Sequence, residues 1–138
     1  MHDLKTILKA IPNPDGEAIL HLPAGLSAAL QERLGAQGYF VTLVDRAPVF
    51  DKTTLLHALY QSCEMPAYFG FNWDALHDML ADFSWKTAKG YVLVFKDFGL
   101  FQTRSPGDAK VFLEIVREAG QTRQQNHAPP LKLVLLEA

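Results

Sequence analysis

A chain of 138 residues, 49% of them apolar, is long enough to bury one substantial core and short enough for a single domain spanning residues 1–138. Its formal net charge of −2 excludes the general nucleic-acid binders, which carry a basic patch or a high isoelectric point. A lone cysteine, Cys63, excludes an internal disulfide framework, and the opening MHDLKTILKAIPNPDGE lacks the apolar run of a secretory signal or membrane span, so a reducing cytoplasm is the expected location.

Leu4, Ile7 and Leu8 recur at helical spacing in the first ten residues, and Ile11-Pro12-Asn13-Pro14-Asp15-Gly16 ends that helix in a turn. Glu17 to Leu22 is an apolar run, Pro23 to Gly35 carries Leu26, Ala29, Leu30 and Leu34 on one stripe, and Tyr39 to Val44 is a second run. Strand, helix, strand follows, which implies parallel pairing of the two strands through a right-handed crossover. Asp51 is placed to N-cap a helix through Leu55, Leu56, Leu59, Tyr60 and Cys63 that stops near Pro66. Tyr68-Phe69-Gly70-Phe71 reads as a loop, and Asn72 as the N-cap of a helix from Trp73 to Phe83 with Asp74 in its first turn, where the helix dipole favours an anion. Tyr91 to Phe95 shows no polar alternation and so reads as a central strand; Asp108 to Gly120 is helical, 121–130 a helix end and loop, and Leu131 to Leu136 a last strand. The sum is a three-layer α/β fold with about four parallel strands.

The helix from Trp73 carries the chemistry. Trp73, Leu76, Met79, Leu80 and Phe83 fall on one face and form core, while Asp74, His77, Asp78, Ala81 and Asp82 fall on the other. That second face stacks three carboxylates at i, i+4 and i+8, where each like-charged pair costs roughly 0.2 to 0.5 kcal/mol in an isolated helix. A solvated acidic face accounts for the pattern taken alone. The adjoining loop points to a contact surface instead, because aromatic rings beside fixed charges are how interfaces anchor. Phe69 and Phe71 serve equally well as core caps; Tyr68, with its polar tip, is the better contact.

The segment Pro66-Ala67-Tyr68-Phe69-Gly70-Phe71-Asn72-Trp73-Asp74-Ala75-Leu76-His77-Asp78 resembles the signature of the barstar family of ribonuclease inhibitors, close to P-x-Y-[YF]-G-x-N-x-D-A-L-x-D. The similarity continues through the Tyr91 to Phe95 strand, Val116-Arg117-Glu118-Ala119 and the terminal strand, covering roughly residues 40 to 138. The resemblance implies a barstar-like parallel sheet of three strands packed by helices, to which residues 1–39 add one N-terminal strand. It further implies a cytoplasmic inhibitor, not an enzyme, of a secreted-type, guanyl-preferring microbial ribonuclease. Asp78 matches the position that enters the enzyme's phosphate pocket, where arginine accepts a carboxylate with the fork it offers a phosphate. Tyr68, Asn72, Asp74 and Glu118 match further contact positions, and Trp73, His77 and Asp82 complete the expected contact set.

Three departures from the family stand out. His77 occupies the place of a tryptophan contact and brings a side chain type that titrates near neutral pH. Asp82 replaces a small residue at the rim. Trp85, Lys86 and Lys89 lie in a longer connection, leaving open whether Phe83 or Trp85 supplies an aromatic contact. These features keep a second reading in view, a regulatory module of the same fold with a non-nuclease protein partner.

Other signals are set aside. Asp74, His77 and Asp78 offer metal-ligand types but no further ligand from elsewhere, so no metal and no cofactor is expected. His77 and Asp78 as a general-base pair conflict with the roughly 100° between adjacent helix positions, and no nucleophile accompanies them. Cys63 shares the apolar stripe of Leu56 and Leu59 and reads as an inert thiol, and His21, His57 and His127 do not converge.

Overall fold

The computed structural model describes residues 3–45 and 48–137. The strands are β1 (Ile19–Pro23), β2 (Phe40–Val44), β3 (Tyr91–Phe95) and β4 (Leu131–Glu137), all parallel in one sheet of order β1-β4-β3-β2. The helices are α1 (Leu4–Ala10), α2 (Ser27–Ala36), α3 (Lys52–Ser62), α4 (Trp73–Asp82), α5 (Phe98–Arg104) and α6 (Pro106–Gln125). Side-chain alternation in the strands sorts these helices into two layers. Tyr91, Leu93, Phe95, Leu131, Leu133 and Leu135 face a core closed by α3 to α6, whereas Val92, Val94 and Val134 face a second core closed by α1 and α2. The expected three-layer α/β architecture is the one found.

The strand order corrects one expectation. β1 and β2 are parallel but do not pair: they are the two edges, with β4 and β3 between them. The physical reason lies in their composition. All five residues of β3 and Leu131 to Leu135 of β4 are buried, so these strands take the centre, where both faces are covered. Residues 1–39 contribute the expected extra strand, paired to β4 from Ile19↔Leu133 to Pro23↔Glu137, and also the whole α1–α2 layer.

Local chemistry explains the elements that place the site. Asp51 forms a capping box with Thr54, accepting from its N–H at 2.8 Å while Thr54 Oγ1 receives the Asp51 N–H at 3.1 Å, and thereby starts α3. Gly90 precedes β3 because a Cβ there would lie 2.6 Å from the Tyr39 ring. Two helical features escaped the sequence: α5, a short helix after Asp97, and the full length of α6, which begins with Pro106 in its first turn and continues to Gln125.

Candidate partner-binding site

Asn72 sets the start of α4. Its Oδ1 accepts from Ala75 N–H at 2.8 Å and its Nδ2 donates to the Gly70 carbonyl at 3.2 Å, so both amide atoms hold the loop-to-helix junction. Burial of Leu76, Met79 and Leu80 then fixes the helix rotation and turns Asp74, His77 and Asp78 outward. Trp73 is half-buried against the core, with Lys52 Nζ 5.2 Å from its ring centroid.

Opposite α4 lies α6. Its buried residues Phe112, Ile115, Val116 and Ala119 leave Glu114 and Glu118 exposed on one side, a helical turn apart. The two helices enclose an open groove of ≈ 600 Å³ lined by Trp73, Asp74, His77, Asp78, Val111, Glu114, Ile115 and Glu118. Four carboxylates thus surround an apolar floor. Asp74 and Asp78 on one side and Glu118, some forty residues further along the chain, line the same groove. Glu114 was missed, although its i, i+4 spacing to Glu118 on a helix placed it on the same face.

The remaining expected residues sit at the margins. Tyr68 is 71% exposed on the loop before α4, whereas Phe69 is buried. Phe71 lies at the surface between Phe69 and His57, with centroid distances of 4.7 and 4.6 Å. Asp82, at the C-terminal end of α4, is exposed outside the groove and accepts from Ser84 Oγ at 2.8 Å. Phe83 is fully buried and stacks on Tyr91 and Trp85; the Trp85 indole N–H donates to the Cys63 carbonyl at 3.0 Å. Of the two, only the half-buried Trp85 retains surface.

Rotation about the side-chain bonds brings His77 Nδ1 to 3.6 Å from Asp78 Oδ1, closer than their angular separation on the helix suggested. The distance suits an ion pair when the imidazole is protonated and is too long for a hydrogen bond. Among the described residues, Asp74, Glu114 and Glu118 enter no ion pair. No three His, Cys, Asp or Glu side chains among the described residues converge in a metal-binding group. Cys63 is sealed in the core, where burial, reinforced by Glu64, pushes its thiol up to about 12. No described helix is long and apolar enough to cross a membrane.

A family model described as Barstar (barnase inhibitor) matches residues 39–135. No curated protein matches the chain. The matched span contains α4, α6 and every residue that lines the groove, while α1, β1 and α2 lie outside it.

Proposed function

The chain belongs to the barstar family, and on that premise we propose that it is a cytoplasmic protein inhibitor that blocks the basic active site of a guanyl-preferring microbial ribonuclease with its α4–α6 face. The observation that carries this reading is the convergence of Asp74, Asp78 and Glu118 on one open groove. Asp78 is the principal contact: its side chain is 84% exposed and lines the groove. An aspartate presented this way substitutes for an RNA phosphate, because an arginine fork makes the same paired, charge-assisted bonds to either. Asp74 and Glu118 flank it, Tyr68 and Trp73 add aromatic area, and Asn72 holds the loop from which Tyr68 projects. His77 and Asp82 tune the rim. Unlike-charged faces also attract before contact, so association slows as salt rises and the Debye length falls to roughly 8 to 10 Å.

The test is titration of the purified protein into such a ribonuclease while RNA cleavage is followed, with Asp78→Ala as control. Stoichiometric inhibition by the parent and its loss in the variant support the reading. Failure of both proteins to inhibit overturns the nuclease assignment and favours the second reading, a non-nuclease partner on the same face. The observation behind that alternative is His77, an imidazole lining the groove that makes the surface less apolar than a tryptophan would.

A further inference from the structure

Arg123, near the C-terminal end of α6, is only 2% exposed. Its Nη1 donates to the carbonyls of Ala81 at 3.0 Å and Asp82 at 3.1 Å, and its Nε donates to the Pro129 carbonyl at 2.7 Å. The guanidinium also lies 4.7 Å from the centroid of the Tyr91 ring. Ala81 and Asp82 belong to the last turn of α4, whose carbonyls have no partner within the helix. The helix ends there because Phe83 adopts the left-handed conformation, with φ of 51°. A cation supplied by α6 therefore caps the negative pole of α4. Burial works against the charged guanidinium and leaves its pKa below the usual arginine value, with the Tyr91 side chain and Asp82 offsetting only part of that effect.

The same two helices present like charge to each other along the groove. Asp74 and Asp78 line it from α4, Glu114 and Glu118 from α6, and no lysine or arginine is among its lining residues. We infer that Arg123 is a positioning residue: it ties α4 to α6 from the inside against the repulsion of their carboxylates, and so sets the spacing of Asp78 and Glu118. The inference rests on the reading of this groove as the partner-binding face. Arginine suits the task because its planar fork spans carbonyls from two segments at once, which a single ammonium cannot match. The tie consists of side-chain donors from one helix and backbone acceptors from the other, so its removal releases the α4 C-terminus without touching a groove residue.

The width of the groove is measurable without a partner. Spin labels at His77→Cys and Gln121→Cys leave all four carboxylates in place, and the buried Cys63 thiol does not compete for the label. Dipolar distance distributions are recorded at about 0.01 M and about 1 M salt, where the Debye length is ~30 Å and ~3 Å. With Arg123 present the distribution is narrow at both. Arg123→Met gives a longer, broader distribution at low salt that draws back at high salt, and Arg123→Lys falls between. Loss of packing alone would not respond to salt in this way. An Arg123→Met distribution equal to the parent's at low salt overturns the inference, as does a widening indifferent to salt. If Arg123→Met does not fold, Arg123→Lys takes its place: a salt-sensitive widening relative to the parent supports the tie, and its absence overturns it.

Affinity of the unlabelled proteins for the guanyl-preferring ribonuclease completes the test. A tenfold or greater loss in Arg123→Met, partly restored in Arg123→Lys, supports positioning of the binding face; a widened groove with unchanged affinity overturns it. A parent that fails to bind the ribonuclease sinks the functional reading instead, and the distance comparison still decides the tie.

Discussion

The α1–α2 layer and the α4–α6 pair cover opposite faces of one sheet with opposite kinds of surface. Behind α1 and α2 the core is aliphatic, built from Ile7, Ile11, Leu22, Leu30 and Leu34, and the exposed charges of these helices are of mixed sign: Lys5 and Lys9, Glu32 and Arg33. Behind α4 and α6 the core is rich in aromatic rings and holds a buried guanidinium, while the outer groove collects four carboxylates. The first arrangement is what covering an aliphatic core requires. The second gathers like charges where folding does not need them, and the proposed partner-binding role is what would make use of them.

The largest effects should separate the two regions. Leu30→Ala removes a fully buried side chain of the α1–α2 layer and should cost about 2 to 5 kcal/mol of stability, read by urea denaturation, with affinity for the ribonuclease unchanged below the transition. A parallel loss of affinity would mean that the two faces are mechanically coupled through the sheet. Asp78→Ala should do the reverse. Binding by calorimetry should weaken by at least ~2 kcal/mol, the usual mark of an interface hot spot, while the denaturation midpoint moves little because the side chain is solvent-facing.

A smaller effect probes the approach to the site. Asp51→Ala removes the capping box of α3 and should cost about 1 kcal/mol. The parent contribution is pH-dependent with a definite sign. Hydrogen bonds from the Thr54 backbone N–H, then from its side chain, hold the Asp51 carboxyl below the usual carboxylate value. The unfolded chain therefore binds the proton more readily, so this stabilisation is present above about pH 4 and is lost as pH falls through the lower, folded-state value. Denaturation midpoints of parent and Asp51→Ala should accordingly converge in acid. A gap that persists at pH 2 would assign the cap to geometry rather than charge.

What the sequence made legible divides along the same lines. α3 and α4 were readable because Asp51 and Asn72 are side-chain caps placed immediately before apolar periodicity, and both caps are present. β3 was readable as central from its unbroken apolar run. α5 was not, because it has seven residues, a glycine inside it and no side-chain cap at Asp97, which sits at φ of 58°. The non-pairing of β1 and β2 was also hidden, since periodicity identifies strands but not their neighbours. Within the site, Asp74, Asp78 and Glu118 were legible from a resemblance to a motif. Arg123 was not: in a polar stretch it reads as solvated, and its acceptors on Ala81 and Asp82 lie about forty residues away in the chain.

The smallest effect makes the sharpest test of the contrast between the layers. If the α4 face is shaped for a partner at the expense of the free protein, reversing one charge should stabilise the molecule while destroying its function. Asp78→Lys replaces two repulsive i, i+4 relations, with Asp74 and with Asp82, by attractive ones, and the Asp74 pair has the favoured order of acid before base. Facing Glu114 and Glu118, the new ammonium also relieves repulsion across the groove. At a few tenths of a kcal/mol per pair, the gain in stability should be roughly 0.5 to 1 kcal/mol, already discounted for solvent screening of this exposed position and diminishing as salt is added. Ribonuclease inhibition by the same variant should vanish, because like charge now meets like in the basic active site. An equal charge reversal on the α1–α2 layer, Glu32→Lys, has no acidic cluster to relieve and should neither stabilise the protein nor alter inhibition. Stabilisation by Asp78→Lys with inhibition retained would break the argument at its centre: the acidic groove would then be a tolerated surface, and the binding face would have to be sought elsewhere.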